Sequence, residues 1–114
     1  MIDRLRTLLA RYRFSFRDER ELQDQFDKVL NDGFIEHERE RALTKKDRPD
    51  FMIGTIAVEV KVFTSAEKHL RQLKRYANHE YVTETLLIST RPFTLPETLS
   101  GKPCHGIMVW CNFL

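Results

Sequence analysis

The stretch Pro49-Asp-Phe-Met-Ile-Gly-Thr-Ile-Ala-Val-Glu-Val-Lys-Val62 decides the reading of this chain. Two β-rich runs flank Gly54-Thr55, and glycine at the first central position suits a type II′ hairpin turn. A two-residue turn fixes the register: Ile53 opposite Ile56, Met52 opposite Ala57, Phe51 opposite Val58 and Asp50 opposite Glu59. Because strand side chains alternate, Phe51, Ile53, Ile56, Val58, Val60 and Val62 share one face and form an apolar surface for a core. Asp50, Glu59 and Lys61 share the other.

Opposed residues on paired strands have Cβ atoms about 5 Å apart, and like charges placed there destabilise a sheet unless something compensates. A divalent cation does so. Two carboxylates and a backbone carbonyl suit Mg²⁺, a hard ion that takes oxygen ligands and keeps waters for substrate phosphates. Lys61, two residues past Glu59, is placed to orient or deprotonate an attacking water while holding a phosphate oxygen. Together these are the requirements of phosphodiester hydrolysis. The plainer reading of the same residues is an ion-pair cluster on a solvated strand face.

Working outward, Ile2, Leu5, Leu8, Leu9 and Tyr12 recur at helical spacing and predict a short helix over residues 2–12. A second helix starts at Asp18, which can cap it with Glu21 three residues later, carries Leu22, Phe26, Val29 and Leu30 on one stripe, and ends near Gly33. Imperfect alternation over Phe34 to Arg41 predicts an edge strand. Thr64-x-x-Glu67 supplies a capping box for a third helix bearing Leu70, Leu73 and Ala77 on its buried face. Residues 85–90 read as a buried strand, Pro92 to Gly106 as a loop and Ile107 to Phe113 as a last strand. The order α, α, β, β, β, α, β, β predicts a single α/β domain over residues 1–114, a mixed sheet with helices packed against it.

Arg48-Pro49-Asp50, the hydrophobic hairpin and Glu59-Val60-Lys61 resemble the PD-(D/E)XK signature of the restriction-endonuclease-like nuclease superfamily. Gln72-Leu-Lys-Arg-Tyr76, on the helix after that strand, is similar to the Gln-x-x-x-Tyr motif of its RecB-type branch. The resemblance spans about residues 18–90 and implies the core order αβββαβ, with the first helix and the C-terminal strand as additions. It also implies a Mg²⁺-dependent deoxyribonuclease, with Mn²⁺ able to substitute. Asp50, Glu59 and the Val60 carbonyl would hold the metal, and Lys61 would activate water. Glu21 corresponds to the upstream acidic residue that many members use as a further metal or water ligand. Gln72 and Tyr76 would line the site.

Each supporting residue has a structural explanation as well. Glu21 completes a capping box with Asp18. Gln72 and Tyr76, four apart on one helix face, also suit a surface amide and a half-buried tyrosine. Lys68, Arg71 and Arg75 form a stripe that can follow a DNA backbone, and Lys45, Lys46 and Arg48 precede the acidic strand; both groups equally suit solvated surface. Cys104, His105 and Cys111 fall short of a closed four-ligand zinc site. His37, His69 and His79 show no metal-like spacing.

At 114 residues, 41% hydrophobic and 32% charged, the chain has the composition of an ordinary globular protein. Its net charge is only +2, but Arg4, Arg6, Arg11, Arg13, Arg17 and Arg20 crowd the start, where they can meet phosphates or simply solvate a helix. Two cysteines without a leader sequence predict a cytoplasmic, reducing environment, and no apolar run suggests a membrane span. DNA is the expected partner, RNA is not distinguished from it, and a homodimer or partner protein would supply specificity. Two further readings remain open: a structure-selective Holliday-junction-type resolvase acting as a homodimer, and a catalytically inactive nuclease-like module for nucleic-acid binding or assembly.

Overall fold

The computed structural model describes residues 1–62 and 66–113. Its centre is the expected hairpin. β3 (Phe51–Ile53) and β4 (Ile56–Lys61) pair antiparallel, Phe51 with Val58, Met52 with Ala57 and Ile53 with Ile56. Gly54 takes φ 56, while Thr55 keeps a negative φ, the combination a type II′ turn requires. Around the hairpin the chain folds into α1 (Ile2–Leu9), β1 (Arg13–Phe16), α2 (Glu19–Asp32), β2 (Glu38–Arg39), α3 (Ala66–Ala77), β5 (Glu84–Ser89), β6 (Thr98–Leu99), β7 (Lys102–Met108) and β8 (Trp110–Phe113).

Six of these strands form a mixed sheet in the order β2-β3-β4-β5-β7-β6, and β1 pairs with β8 in a separate two-stranded ribbon. β4, β5 and β7 run parallel; β2, β3 and β6 are antiparallel to their neighbours. The expected α/β class with a mixed, helix-flanked sheet is what the chain adopts. Both faces of the hairpin are covered, as a sheet with a parallel centre requires. On one side Leu5 and Leu9 of α1 and Leu22, Phe26, Val29 and Leu30 of α2 pack on Phe51, Ile53, Ile56, Val58, Val60 and Val62, the six residues the alternation assigns to the core. Phe26 meets Phe51 edge to face with ring centroids 4.9 Å apart. On the other side Leu73 and Tyr76 of α3 pack on Met52, Ala57 and Leu87.

Three expectations change. The strand predicted over Phe34 to Arg41 shrinks to Glu38–Arg39. Phe34 at φ 56 instead terminates α2, with the Ile35 amide donating back to the Leu30 carbonyl, and Glu40 at φ 51 ends the pairing. The predicted loop from Pro92 to Gly106 contains β6 and most of β7, joined through Ser100 and Gly101, whose φ values of 52 and 76 suit a primed hairpin turn. Gly106 is needed within β7, because a Cβ there would lie 2.2 Å from the Phe93 ring. The last strand is two: the chain leaves the large sheet at Val109 and β8 pairs parallel with β1. The β1 segment, Arg13-Phe-Ser-Phe16, alternates polar and buried residues between the first two helices, where no strand was expected. The third-helix capping box begins at Thr64, outside the described residues.

Candidate active site

The geometry of the hairpin ends where Pro49 begins. In this register the peptide groups of Val58 and Val60 face β3, so continuing the ladder would set Pro49 opposite Val60. Proline has no N–H to donate, and the regular pairing stops at Phe51. Asp50 takes over: its Oδ2 accepts from the Val60 amide at 2.8 Å, and its own amide donates to Glu59 Oε1 at 3.2 Å. The two carboxylates are thereby locked across the strand ends, and proline supplies no N–H to the Val60 carbonyl from that side.

Glu59 is only 1% exposed. Oε1 accepts hydrogen bonds from the Asp50 amide and from the Tyr76 hydroxyl at 2.8 Å. Oε2 is buried without a hydrogen bond, although Lys61 Nζ stands 3.2 Å away, close enough for charge attraction but not aligned to donate. Burial, followed by the nearby Asp50 carboxylate, pushes the Glu59 pKa up to about 7, against the opposing pull of Lys61 and Tyr76. For Lys61, burial works to lower the pKa but is outweighed by Glu59, Asp50 and Glu19, so the ammonium is held above its usual value. Tyr76, raised first by burial and then by Glu59, stays a neutral donor; its hydroxyl also lies 3.4 Å from the Arg48 carbonyl.

The structure therefore gathers buried Glu59 and Tyr76 with half-buried Asp50 and Lys61 into one cluster and places half-buried Gln72 one turn before Tyr76 on the same face of α3. It also brings in two residues that the sequence reading missed. Glu19 Oε2, in the first turn of α2, lies 3.7 Å from Lys61 Nζ. Glu21 points elsewhere: its carboxylate accepts from the Arg17 amide and from Arg17 Nε, both at 2.8 Å, and those hydrogen bonds lower its pKa. Its amide donates to the Asp18 side chain, so Asp18 caps the helix as expected. Among the described residues, the α2 carboxylate that reaches Lys61 is Glu19.

His69 is the second addition. It is 8% exposed, its Nδ1 has no hydrogen-bond partner, and it precedes Gln72 by three residues on the stripe that ends at Tyr76. Burial first, and then the Lys61 charge, lower its pKa and keep it neutral. Gln72 interacts with both His69 and Tyr76 and opposes the shift in each. The other three histidines have structural partners, His37 in Asp27, His79 in Asp47 and His105 in Glu84.

Lys45, Lys46 and Arg48 are exposed on the loop leading into the site, and Lys68 and Arg71 are exposed on α3. Arg75 instead pairs with Asp47 at 2.5 Å. Among the described residues no three His, Cys, Asp or Glu side chains assemble a metal cage. The donors available to a cation are two carboxylates and a main-chain carbonyl, a set that suits a hard ion retaining several waters. The orphaned Oε2 of Glu59 fits such an occupant.

Comparison with protein-family models, with curated proteins and with solved structures finds no match to this chain. Among the described residues no helix is long and apolar enough to cross a membrane.

Proposed function

We propose that this chain is a metal-dependent nuclease that hydrolyses DNA phosphodiester bonds. The observation that carries this reading is Glu59: a carboxylate buried beside a second carboxylate, with one oxygen that accepts no hydrogen bond and has Lys61 as its ion-pair partner. A merely structural ion pair has no use for a second acid, since the Asp50 carboxylate raises the cost of ionising Glu59. A site built to receive a cation does.

Asp50, Glu59 and the Val60 carbonyl would hold Mg²⁺, with Mn²⁺ able to replace it. When bound, the cation would neutralise charge at the scissile phosphate and favour ionisation of an attacking water. The protein's own groups do the positioning. Tyr76 Oη and the Asp50 amide fix the plane of the Glu59 carboxylate from the Oε1 side, and Oε2, beside Lys61 Nζ, is the oxygen that would be offered to a cation. Lys61 Nζ, held cationic by three carboxylates, presents positive charge and N–H donors to a phosphate oxygen and orients the water. Lys45, Lys46 and Arg48, exposed on the loop before Asp50, and Lys68 and Arg71, exposed on α3, suit contacts to backbone phosphates, which give affinity without sequence information.

The test is cleavage of supercoiled plasmid and of DNA and RNA oligonucleotides, with Mg²⁺, with Mn²⁺ and with chelator. Wild type should cut DNA only with metal, and Lys61→Ala should lose about a thousandfold in rate, the scale of removing one such charge stabiliser. Equal cleavage by both proteins rejects the assignment of Lys61. Nucleic-acid binding without any cleavage would favour a binding module instead.

A further inference from the structure

The parallel register extends the site sideways. Lys61 of β4 aligns with Ser89 of β5, and Ser89 aligns with Met108 of β7. Residues aligned across parallel strands project on the same face, so Met108 shares the face of Lys61 and Glu59, two strand spacings or about 10 Å away. The residue aligned between them is Ser89, which is buried and whose hydroxyl accepts from the Arg91 amide. Met108 is 50% exposed, and Trp110, two residues on, is 66% exposed. Val109 between them is buried in the core that Met108 faces away from, and Trp110 opens the separate β1–β8 ribbon immediately after it. β8 pairs with β1 so that exposed Arg13 lies directly beside Trp110, while its neighbour Phe14 turns into the core. Isolated exposed apolar residues are ordinary surface. Here a tryptophan and a methionine two residues apart are both exposed, with an arginine paired beside the tryptophan and the methionine two strands from Lys61 of the proposed cleavage cluster.

We infer that Trp110 and Met108 form a stacking platform for unpaired bases of single-stranded DNA, with Arg13 beside it to meet the backbone. The inference rests on the nuclease reading and sharpens it: the preferred substrate carries a single-stranded stretch within a few nucleotides of the bond that is cut. The chemistry suits the geometry. An indole face and a polarisable thioether accept any base by stacking, which tolerates sequence, and a guanidinium supplies the phosphate charge. Bases stacked inside a duplex cannot use such a platform.

Trp110 is the only tryptophan in the chain, so its fluorescence reports on this platform alone. In metal-free buffer, where binding proceeds without turnover, short oligothymidylate should quench Trp110 saturably. An abasic strand of equal length should bind without comparable quenching, and blunt duplex should quench little. By anisotropy, Trp110→Ala should weaken oligothymidylate binding about tenfold while Trp110→Phe keeps most of the affinity. Both side chains are solvent-facing replacements, and circular dichroism confirms the fold of each variant. Equal quenching by abasic or duplex DNA, or unchanged affinity in Trp110→Ala, overturns the platform. So does a dimer in solution that Trp110→Ala dissociates, which would make this face an interface between copies. If DNA is cleaved but Trp110 is silent, only this inference fails; if DNA is neither bound nor cut, the nuclease reading fails with it.

Discussion

The two faces of the β3–β4 hairpin are buried to the same depth and have opposite energetic consequences. Val60 and Glu59 are neighbours in the chain, 0% and 1% exposed. Val60 joins Phe51, Ile53 and Val58 in hydrocarbon, where each buried aliphatic group stabilises the fold by roughly 1.5–3 kcal/mol. Glu59 faces the other way, beside Asp50 under α3, with a carboxylate oxygen that accepts no hydrogen bond and is countered only by the charge of Lys61 among the described residues. One face holds the hairpin in place, and the other uses that rigidity to keep like charges together. The contrast suggests that the site is tolerated because its backbone is over-determined by the packing behind it.

The strongest way to break this contrast is to empty the apolar face. Phe51→Ala should destabilise the protein by about 3–5 kcal/mol in urea unfolding, and a loss near 1 kcal/mol would show that this face does not anchor the hairpin. The next test is pH. Glu59 rises from 4.5 to about 7 on folding, so the folded state binds its proton more tightly. That contribution is fully present below about 4.5 and disappears as pH rises through about 7, a loss of about 3 kcal/mol for a group this buried. Metal-free wild type should therefore weaken across that window, whereas Glu59→Gln should show a flatter profile; parallel profiles would reject Glu59 as the source.

Metal sharpens the comparison from the other side. Above pH 7 Mg²⁺ should stabilise wild type by about 1–3 kcal/mol at concentrations of roughly 10–100 times Kd, and by less at pH 5, where the proton competes. Thermal melts with and without metal measure this, and an identical shift at both pH values would argue against Glu59 as a ligand. The smallest expected effect is Tyr76→Phe, which removes one hydrogen bond to Glu59 and should cost about 1 kcal/mol. Because that bond lowers the Glu59 pKa, its loss should move the carboxyl titration further up, as carbon-detected NMR can follow.

The hairpin was legible in the sequence because its signals are local: a glycine at a positive-φ turn position and a period of two on either side fix register and face together. The β1–β8 ribbon was not, since Arg13 and Trp110 pair across almost the whole chain in runs of four residues, too short for periodicity to declare them. In the site, Glu21 drew attention as a capping residue, yet Glu19 is in phase with Leu22 and Phe26 at i, i+3 and i+7 and therefore turns toward the sheet. His69 carried the same signal, in phase with Gln72 and Tyr76. A polar residue on a helix looks solvated until its stripe is compared with the one that packs.

Pairing across a turn also separates geometry from count. Asp50 meets Glu59 because both are measured outward from Gly54 and Thr55, not because eight residues lie between them. Gly54 is exposed, with open space around it, so added residues at that tip would lengthen the motif while leaving every pair intact. A single residue inserted between Phe51 and Met52 would instead turn Asp50 to the opposite face, into the core. Sequences sharing this site can thus vary freely in the length of the interval and not at all in its symmetry, and a search for them should fix the alternation on each arm and leave the tip open.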